Sequence, residues 1–257
     1  MKSVHIPLWQ TGRPSMPLDS DLIREARGLP PGSPIFLDYD GTLVPLSTDP
    51  ETTFPDDEVI SVMDQLAGKY QLYVATGRSI PEITKFLDSR YNFIALHGAI
   101  LKPRGGQPEY VTDAGEYIRK CDTVYARRDD FFRRYPGLKM TNKQGGVVFI
   151  MWGLDEKAMS SLVNEASLLA LQTGMELYRG KRIVELRIPG VNKGITIKKV
   201  RNGAPALIAG DDATDEDSFL DNPDAITVKV GPGDTAARFR VRDVAEFREL
   251  LKAMSEP

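Results

Sequence analysis

Asp38 and Asp40 stand two residues apart in IFLDYDGTLVPL, directly after an apolar run. Two carboxylates at the end of a buried strand repel each other and lose hydration, and a divalent cation is the usual offset. Three more polar clusters follow strand-like or turn-like segments: Thr76-Gly77-Arg78 after QLYVA, Lys193 after VN, and GDDATDED, 210–217, after PALIA. Asp38 and Asp211 are hard oxygen ligands suited to Mg²⁺, which would neutralise charge on a phosphoryl group. An unprotonated carboxylate can attack phosphorus. A second one, Asp40, can give its proton to a leaving alkoxide and later take one from water. Thr76 offers a hydroxyl and a backbone N–H to a phosphate, and Lys193 offers a point charge. Gly41 and Gly77 let backbone approach a ligand closely. Each cluster alone has a plainer reading as a turn, a loop, a surface lysine or an acidic N-cap. Their common place after strands favours one site.

The elements that must position these residues alternate. PIFLDYD reads as a buried strand, PDDEVISVMDQLAGK as an amphipathic helix, QLYVAT as a strand, SIPEITKFLD as a helix and NFIALHG as a strand. That rhythm implies a parallel sheet covered by helices, with ligands at the carboxyl ends of its strands. After about residue 110 the rhythm changes. One long charged helix is expected over 113–134, then a strand at GVVFIM, a helix over 155–172 and strands at MELYR and RIVELRI. From Val191 the first rhythm resumes with a helix after NKG, the strand PALIAG, the helix TDEDSFLD, the strand AITVKV and a last helix near DVAEFRELLKAM. The expected organisation is α/β: a Rossmann-like core over 31–111 and 189–257, an inserted α+β domain over 112–188, and an extension or docked tail, 1–30, without clear periodicity.

With 257 residues, 41% hydrophobic and 27% charged, the composition is that of a soluble globular chain. A net charge of −3 gives no electrostatic case for nucleic acid or an anionic membrane. The basic, aromatic stretch RKCDTVYARRDDFFRRYP reads as a solvated helix face with Arg–Asp pairs. One cysteine, Cys121, excludes an internal disulfide and fits a reducing compartment. Two histidines and that cysteine are a poor zinc set. No stretch approaches a membrane span, and the N-terminus has no apolar signal core, so a cytoplasmic protein is expected; a monomer is expected as well.

DYDGT, TGR, Lys193 and GDDATDED, in that order, resemble the haloacid dehalogenase (HAD) phosphatase superfamily. The insert lies where the second cap class (C2) of that superfamily has it. LDYDGTLVPL, ALHGAILK, GKRIVELRIPGVNKG, GDDATDED and VKVG further resemble trehalose-6-phosphate phosphatases, and the resemblance covers most of 33–254. It implies Asp38 as nucleophile and Asp40 as general acid/base. Mg²⁺ would rest on the Asp38 carboxylate, the Asp40 backbone carbonyl and Asp211, with Asp212 and Asp215 in or near the layer behind. Gly77, Arg78, His97 and Gly98 would line the substrate side, and Lys143, Lys181 and Glu185 would reach sugar hydroxyls. Two cap groups depart from the pattern. The family's Glu-x-Lys stands here as Thr141-Asn142-Lys143, and its His-Tyr-Arg as Ile150-Met151-Trp152, with Trp152 expected in the cap core. Trehalose 6-phosphate is the leading substrate. The alternatives are another sugar phosphate of sucrose, glucosylglycerol or mannosylglycerate type, a phosphomutase, or a non-catalytic sugar-phosphate sensor.

Overall fold

The computed structural model describes residues 18–47, 49–180 and 182–256. In chain order it contains α1 (Ser20–Arg27), β1 (Pro34–Leu37), α2 (Asp57–Lys69), β2 (Gln71–Ala75), α3 (Ile80–Ile83) and β3 (Asn92–Ala95). Next come β4 (Ile100–Lys102), β5 (Glu109–Tyr110), α4 (Gly115–Ala126), α5 (Arg128–Arg134), β6 (Lys139–Asn142), β7 (Gly146–Ile150) and α6 (Glu156–Thr173). The chain continues through β8 (Glu176–Gly180), β9 (Ile183–Arg187), α7 (Lys193–Arg201), β10 (Leu207–Gly210), α8 (Ala213–Asp221), β11 (Ile226–Val230), β12 (Phe239–Val241) and α9 (Val244–Ser255).

The larger sheet runs β12-β11-β10-β1-β2-β3-β4-β5. β12 through β3 are parallel, and β4 and β5 add antiparallel to that edge. β1 lies at its centre with all four residues buried, as a strand covered on both faces must be. Helices pack by capped, periodic sequences. In α2 the Asp56 side chain accepts from the Val59 N–H at 2.9 Å, and Val59, Met63 and Leu66 face inward. The smaller sheet, β6-β7-β9-β8, is wholly antiparallel. Alternation sorts its side chains by face. Val147, Phe149, Val184 and Leu186 join Cys121, Val124, Phe131, Leu162 and Ala166 from α4, α5 and α6 in one core. Val148, Glu185 and, one pair further along, Arg187 therefore take the other face, with Tyr178 opposite Glu185 in register.

Residues 1–17 of the expected extension or docked tail lie outside the described residues, and the part from residue 18 is docked. Asp19 caps α1, accepting from the Asp21 N–H at 2.8 Å, and Leu22, Ala26 and Leu29 enter the main core beside α9. Leu22→Ala is therefore expected to cost about 2–5 kcal/mol, read as a lowered urea midpoint. A midpoint within 0.5 kcal/mol of wild type would return this segment to the status of an appendage. The long helix over 113–134 is two helices that meet at Arg127, whose N–H bonds the Val124 carbonyl at 3.2 Å, one residue short of helical spacing. The break lets Phe131 meet Phe149 edge-on, ring centroids 5.4 Å apart. The helix over 79–88 is a single turn, Ile80–Ile83, with a Ser79–Glu82 capping box. Strands β4, β5, β6 and β12 were not expected. NFIALHGAILK is continuously apolar around a reversal in which Leu96, His97 and Gly98 all have positive φ, and such a run reads as one strand.

Candidate active site

β1, β2 and β10 are adjacent and parallel, so Asp38, Thr76 and Asp211 leave the sheet at the same end. Lys193 opens α7 there, after the Asn192 side chain caps that helix at the Ile195 N–H, 2.8 Å. The Lys193 ammonium is 2% exposed and donates to Asp38 Oδ1 at 2.7 Å and to Asp215 Oδ1 at 2.8 Å. The other Asp215 oxygen accepts from the Asp211 and Asp212 N–H groups at 3.0 and 3.2 Å. Asp212 caps α8, accepting from the Thr214 N–H and hydroxyl at 2.8 and 2.7 Å. Asp211 has Thr42 Oγ1 at 3.4 Å, and its own carbonyl accepts from the buried Lys229 ammonium.

The charges do not balance within the protein. Burial raises the Asp38 carboxyl well above its usual range, and the Lys193 charge offsets this only in part. Burial, then Asp215 and Asp212, push Asp211 up to about 7. Burial also carries Asp215 to about 6 against the pull of Lys193. Asp212 escapes: Lys193 and the Thr214 bonds outweigh burial and bring it to about 2. Among the described residues, Asp38, Asp211 and Asp215 place ligand oxygens within 4.8 Å of one another. Asp215 has both oxygens engaged, so Asp38 and Asp211 are the pair with coordinating capacity left. A divalent cation fits that oxygen-only, net-negative set. A cation beside each carboxylate offsets the repulsion expected between Asp38 and Asp40. Asp38 meets Lys193, and Asp40 meets Arg78.

Gly41 explains how the Asp38–Asp40 loop approaches Asp211. Its φ is +89°, and a Cβ there would overlap the Asp211 carboxylate. Gly41→Ala is expected to lose about 1–3 kcal/mol from the backbone alone and to displace Asp211. Chemical denaturation and phosphate release read both effects, and an unchanged variant on both counts would refute the close approach.

Other expected residues fall differently. The Thr76 N–H is taken by the Ile94 carbonyl at 2.8 Å, so it is not offered to a ligand. The hydroxyl oxygen accepts from the Arg78 N–H at 3.1 Å and keeps its own proton to donate. Arg78 turns to Asp40 instead of the open side. Gly98 sits against the Asn192 carbonyl, leaving no room for a Cβ, and its carbonyl accepts from Thr196 Oγ1 at 2.8 Å, so it packs β3 against α7. The His97 ring lies against Gly77. Lys143 crosses from the smaller sheet and donates to the Gly77 carbonyl at 3.1 Å. Glu185 is 2% exposed and is held by Arg187 Nε at 2.9 Å, with His97 Nε2 at 3.4 Å. Burial alone would raise it, but the His97 bond and the Lys143 and Arg187 charges hold it well below the carboxylate range. Burial lowers His97 to about 4, so at neutral pH the ring is uncharged, with Nε2 2.8 Å from an Arg187 terminal nitrogen and 3.4 Å from Glu185. Lys181 lies outside the described residues. Trp152, expected in the core of the smaller layer, is 61% exposed with the Arg182 guanidinium 5.8 Å from its ring. Alternation along the chain after Ile150 ends at a turn, which releases it to the surface.

Sequence reasoning missed Thr53, whose hydroxyl oxygen accepts from Arg78 at 2.9 Å, Tyr178, whose ring centre lies 3.7 Å from the Arg187 guanidinium, Arg187 itself and Lys229. Lys229 had a signal, a lysine inside the apolar strand AITVKV. Arg187 also had one, since it ends a strand whose alternation puts it on the face of Glu185. Thr53 and Tyr178 had none.

The trehalose-phosphatase family model matches residues 36–238. The chain belongs to the trehalose-phosphatase family. Within that family it is 41% identical over 218 residues to a trehalose-6-phosphate phosphatase-related protein of Thermoplasma acidophilum, covering 85% of this chain and 95% of that one. It is 33% identical over 253 residues to the bifunctional trehalose-6-phosphate synthase/phosphatase of Thermoproteus tenax, covering 93% of this chain but 33% of that protein. It therefore spans a third of the bifunctional relative's length. The crystal structure of a trehalose-6-phosphate phosphatase related protein superposes with a TM-score of 0.82 at 41% identity, over 87% of this chain and 97% of that one. A HAD-superfamily phosphatase of Bacteroides thetaiotaomicron, at 18% identity and a TM-score of 0.55 over 87% of this chain and 95% of that one, shares the fold. The family's fold is thus a HAD-type parallel core with an α+β insertion, as its motifs imply.

Proposed function

We propose that this chain is a Mg²⁺-dependent phosphatase that hydrolyses trehalose 6-phosphate to trehalose and phosphate through an aspartyl phosphate on Asp38. The observation that carries the reading is the buried Asp38–Lys193–Asp215 bridge beside Asp211, at the strand ends where Thr76 keeps a hydroxyl proton to donate. Family membership supports the ester class, and the relatives' names support the sugar. Among the described residues no helix is long and apolar enough to cross a membrane.

In this reading Asp38 attacks phosphorus, and the bond from phosphorus to the sugar oxygen breaks. Asp40 gives its proton to the departing alkoxide. It then takes a proton from water as that water attacks the aspartyl phosphate, which breaks the bond to Asp38 and frees phosphate. Lys193 orients Asp38 and balances phosphoryl charge, and the Thr76 hydroxyl donates to a phosphoryl oxygen. The Asp38 and Asp211 carboxylates and the Asp40 carbonyl would hold Mg²⁺, which supplies charge neutralisation at the phosphoryl group. Asp215 and Asp212 fix the loop that carries Asp211.

The layer at 112–188 acts as a cap in this account. Its Lys143 reaches the Thr76-Gly77 loop, which supports a substrate role. Glu185 reaches a sugar only if Arg187 and His97 release it, so we assign it first to the seam between the layers. The test is phosphate release with Mg²⁺ from trehalose 6-phosphate, sucrose 6-phosphate, glucose 6-phosphate, glucosylglycerol phosphate and mannosyl-phosphoglycerate. A preference for trehalose 6-phosphate is expected. Preference for another ester would keep the core chemistry and reassign the substrate, and release from none would reject the phosphatase.

A further inference from the structure

Arg78 is committed to Asp40, and we propose that it is the positioning residue of the general acid/base and does not contact substrate. The inference rests on the phosphatase reading above. The guanidinium meets the carboxylate edge to edge: Nε donates to Asp40 Oδ2 and one terminal nitrogen to Asp40 Oδ1, both at 2.7 Å. Such a planar, two-bonded fork fixes the direction of a carboxylate as well as its place.

The fork is itself braced from three segments. The same terminal nitrogen donates to Thr53 Oγ1 at 2.9 Å, in the loop that follows β1. The Tyr39 hydroxyl donates to the Thr53 carbonyl at 2.6 Å and so ties that loop to the residue between the two aspartates. The guanidinium carbon lies 4.6 Å from the Phe86 ring centre, beyond α3, and 5.7 Å from that of Tyr39. The Arg78 N–H bonds Thr76 Oγ1 at 3.1 Å, which couples the fork to the proposed phosphate-binding hydroxyl. The Arg78 side chain is 9% exposed and that of Asp40 is 31% exposed, so the carboxylate, not the guanidinium, faces the open side. An ionised carboxylate has about four acceptor positions. The fork takes two, the Thr53 hydroxyl faces a third from 3.5 Å, and the remainder is left for a leaving oxygen or a water.

A residue that acts through Asp40 makes a specific prediction. Wild type, Arg78→Ala, Asp40→Asn and the double variant are compared on trehalose 6-phosphate and on p-nitrophenyl phosphate. The alkoxide of the sugar ester needs a proton to leave, whereas nitrophenolate does not. Arg78→Ala is expected to lose about 10²-fold on the sugar ester and to show a burst of nitrophenolate, with attack spared and hydrolysis slowed. In the Asp40→Asn background the same change is expected to cost less than about twofold, because its target is gone. Arg78→Lys, which keeps the charge without the fork, should fall between, and it carries the same cycle if the alanine variant does not fold. An equal loss in both backgrounds, or a rise in KM with kcat unchanged, would overturn the proposal. A wild type inactive on both esters would sink the phosphatase reading and this one with it, whereas an active wild type with additive losses would sink this one alone.

Discussion

Asp38→Asn is expected to lower turnover by at least about 10⁴-fold while the thermal midpoint stays level or rises. The amide cannot form the acyl phosphate, and no other carboxylate occupies its place after β1. The stability prediction follows from sign. Burial raises the Asp38 carboxyl well above the value of a free aspartate. A group shifted that way makes the folded state less stable once it ionises, so its charge costs stability at neutral pH. Asparagine removes the charge, and Lys193 keeps Asp215 at 2.8 Å. Activity and stability should therefore move apart, as happens where a site is built against the fold's own preference. Near wild-type turnover would remove Asp38 from the chemistry. A collapse of far-UV circular dichroism would mean the residue is structural.

The second large effect concerns Asp211. Metal-free protein should become more stable as pH falls from about 8 to about 6, because Asp211 and Asp215 protonate near 7 and 6 in the fold, well above an unfolded aspartate. Mg²⁺ offsets the same repulsion. At a hundredfold excess over its dissociation constant it should add about 2.7 kcal/mol, a rise of about 5–10 °C at pH 8. The rise should shrink toward pH 6 as protons compete for the same oxygens. In Asp211→Asn the Mg²⁺ response should vanish and turnover fall about 10²–10³-fold. Thermal scans with Mg²⁺ and with a chelator, at both pH values, measure this. A variant that keeps the full response would move the metal away from Asp211.

The parts legible in the sequence were those written locally. Strands such as PIFL and LIAG are short, apolar and bounded by polar residues, and three of the four clusters follow such strands, while Lys193 opens a helix. The reversal at 96–98 was hidden because its positive-φ turn uses Leu96 and His97 inside an apolar run, not the asparagine or glycine pairs that usually mark one. α1 was hidden by proline-rich flanks, although Asp19 before Leu22 and Ala26 carried the capped pattern. The site's residue types were readable, but their partners were not. Arg78 and Asp40 are 38 positions apart, and His97 and Arg187 are 90 apart. Motif adjacency suggested that Arg78 served the ligand, and only tertiary placement gives it to Asp40. Glu185 likewise reads as a free sugar contact until β9 is seen to turn it against Arg187 and His97.

The most direct test of the central claim is the time course of trehalose 6-phosphate with Mg²⁺ in ¹⁸O-labelled water. The account predicts equimolar trehalose and inorganic phosphate, with one labelled oxygen per phosphate from the water that cleaves the Asp38 ester. Unlabelled phosphoryl transfer to another sugar position, or binding of the ester with no phosphate released, would contradict it.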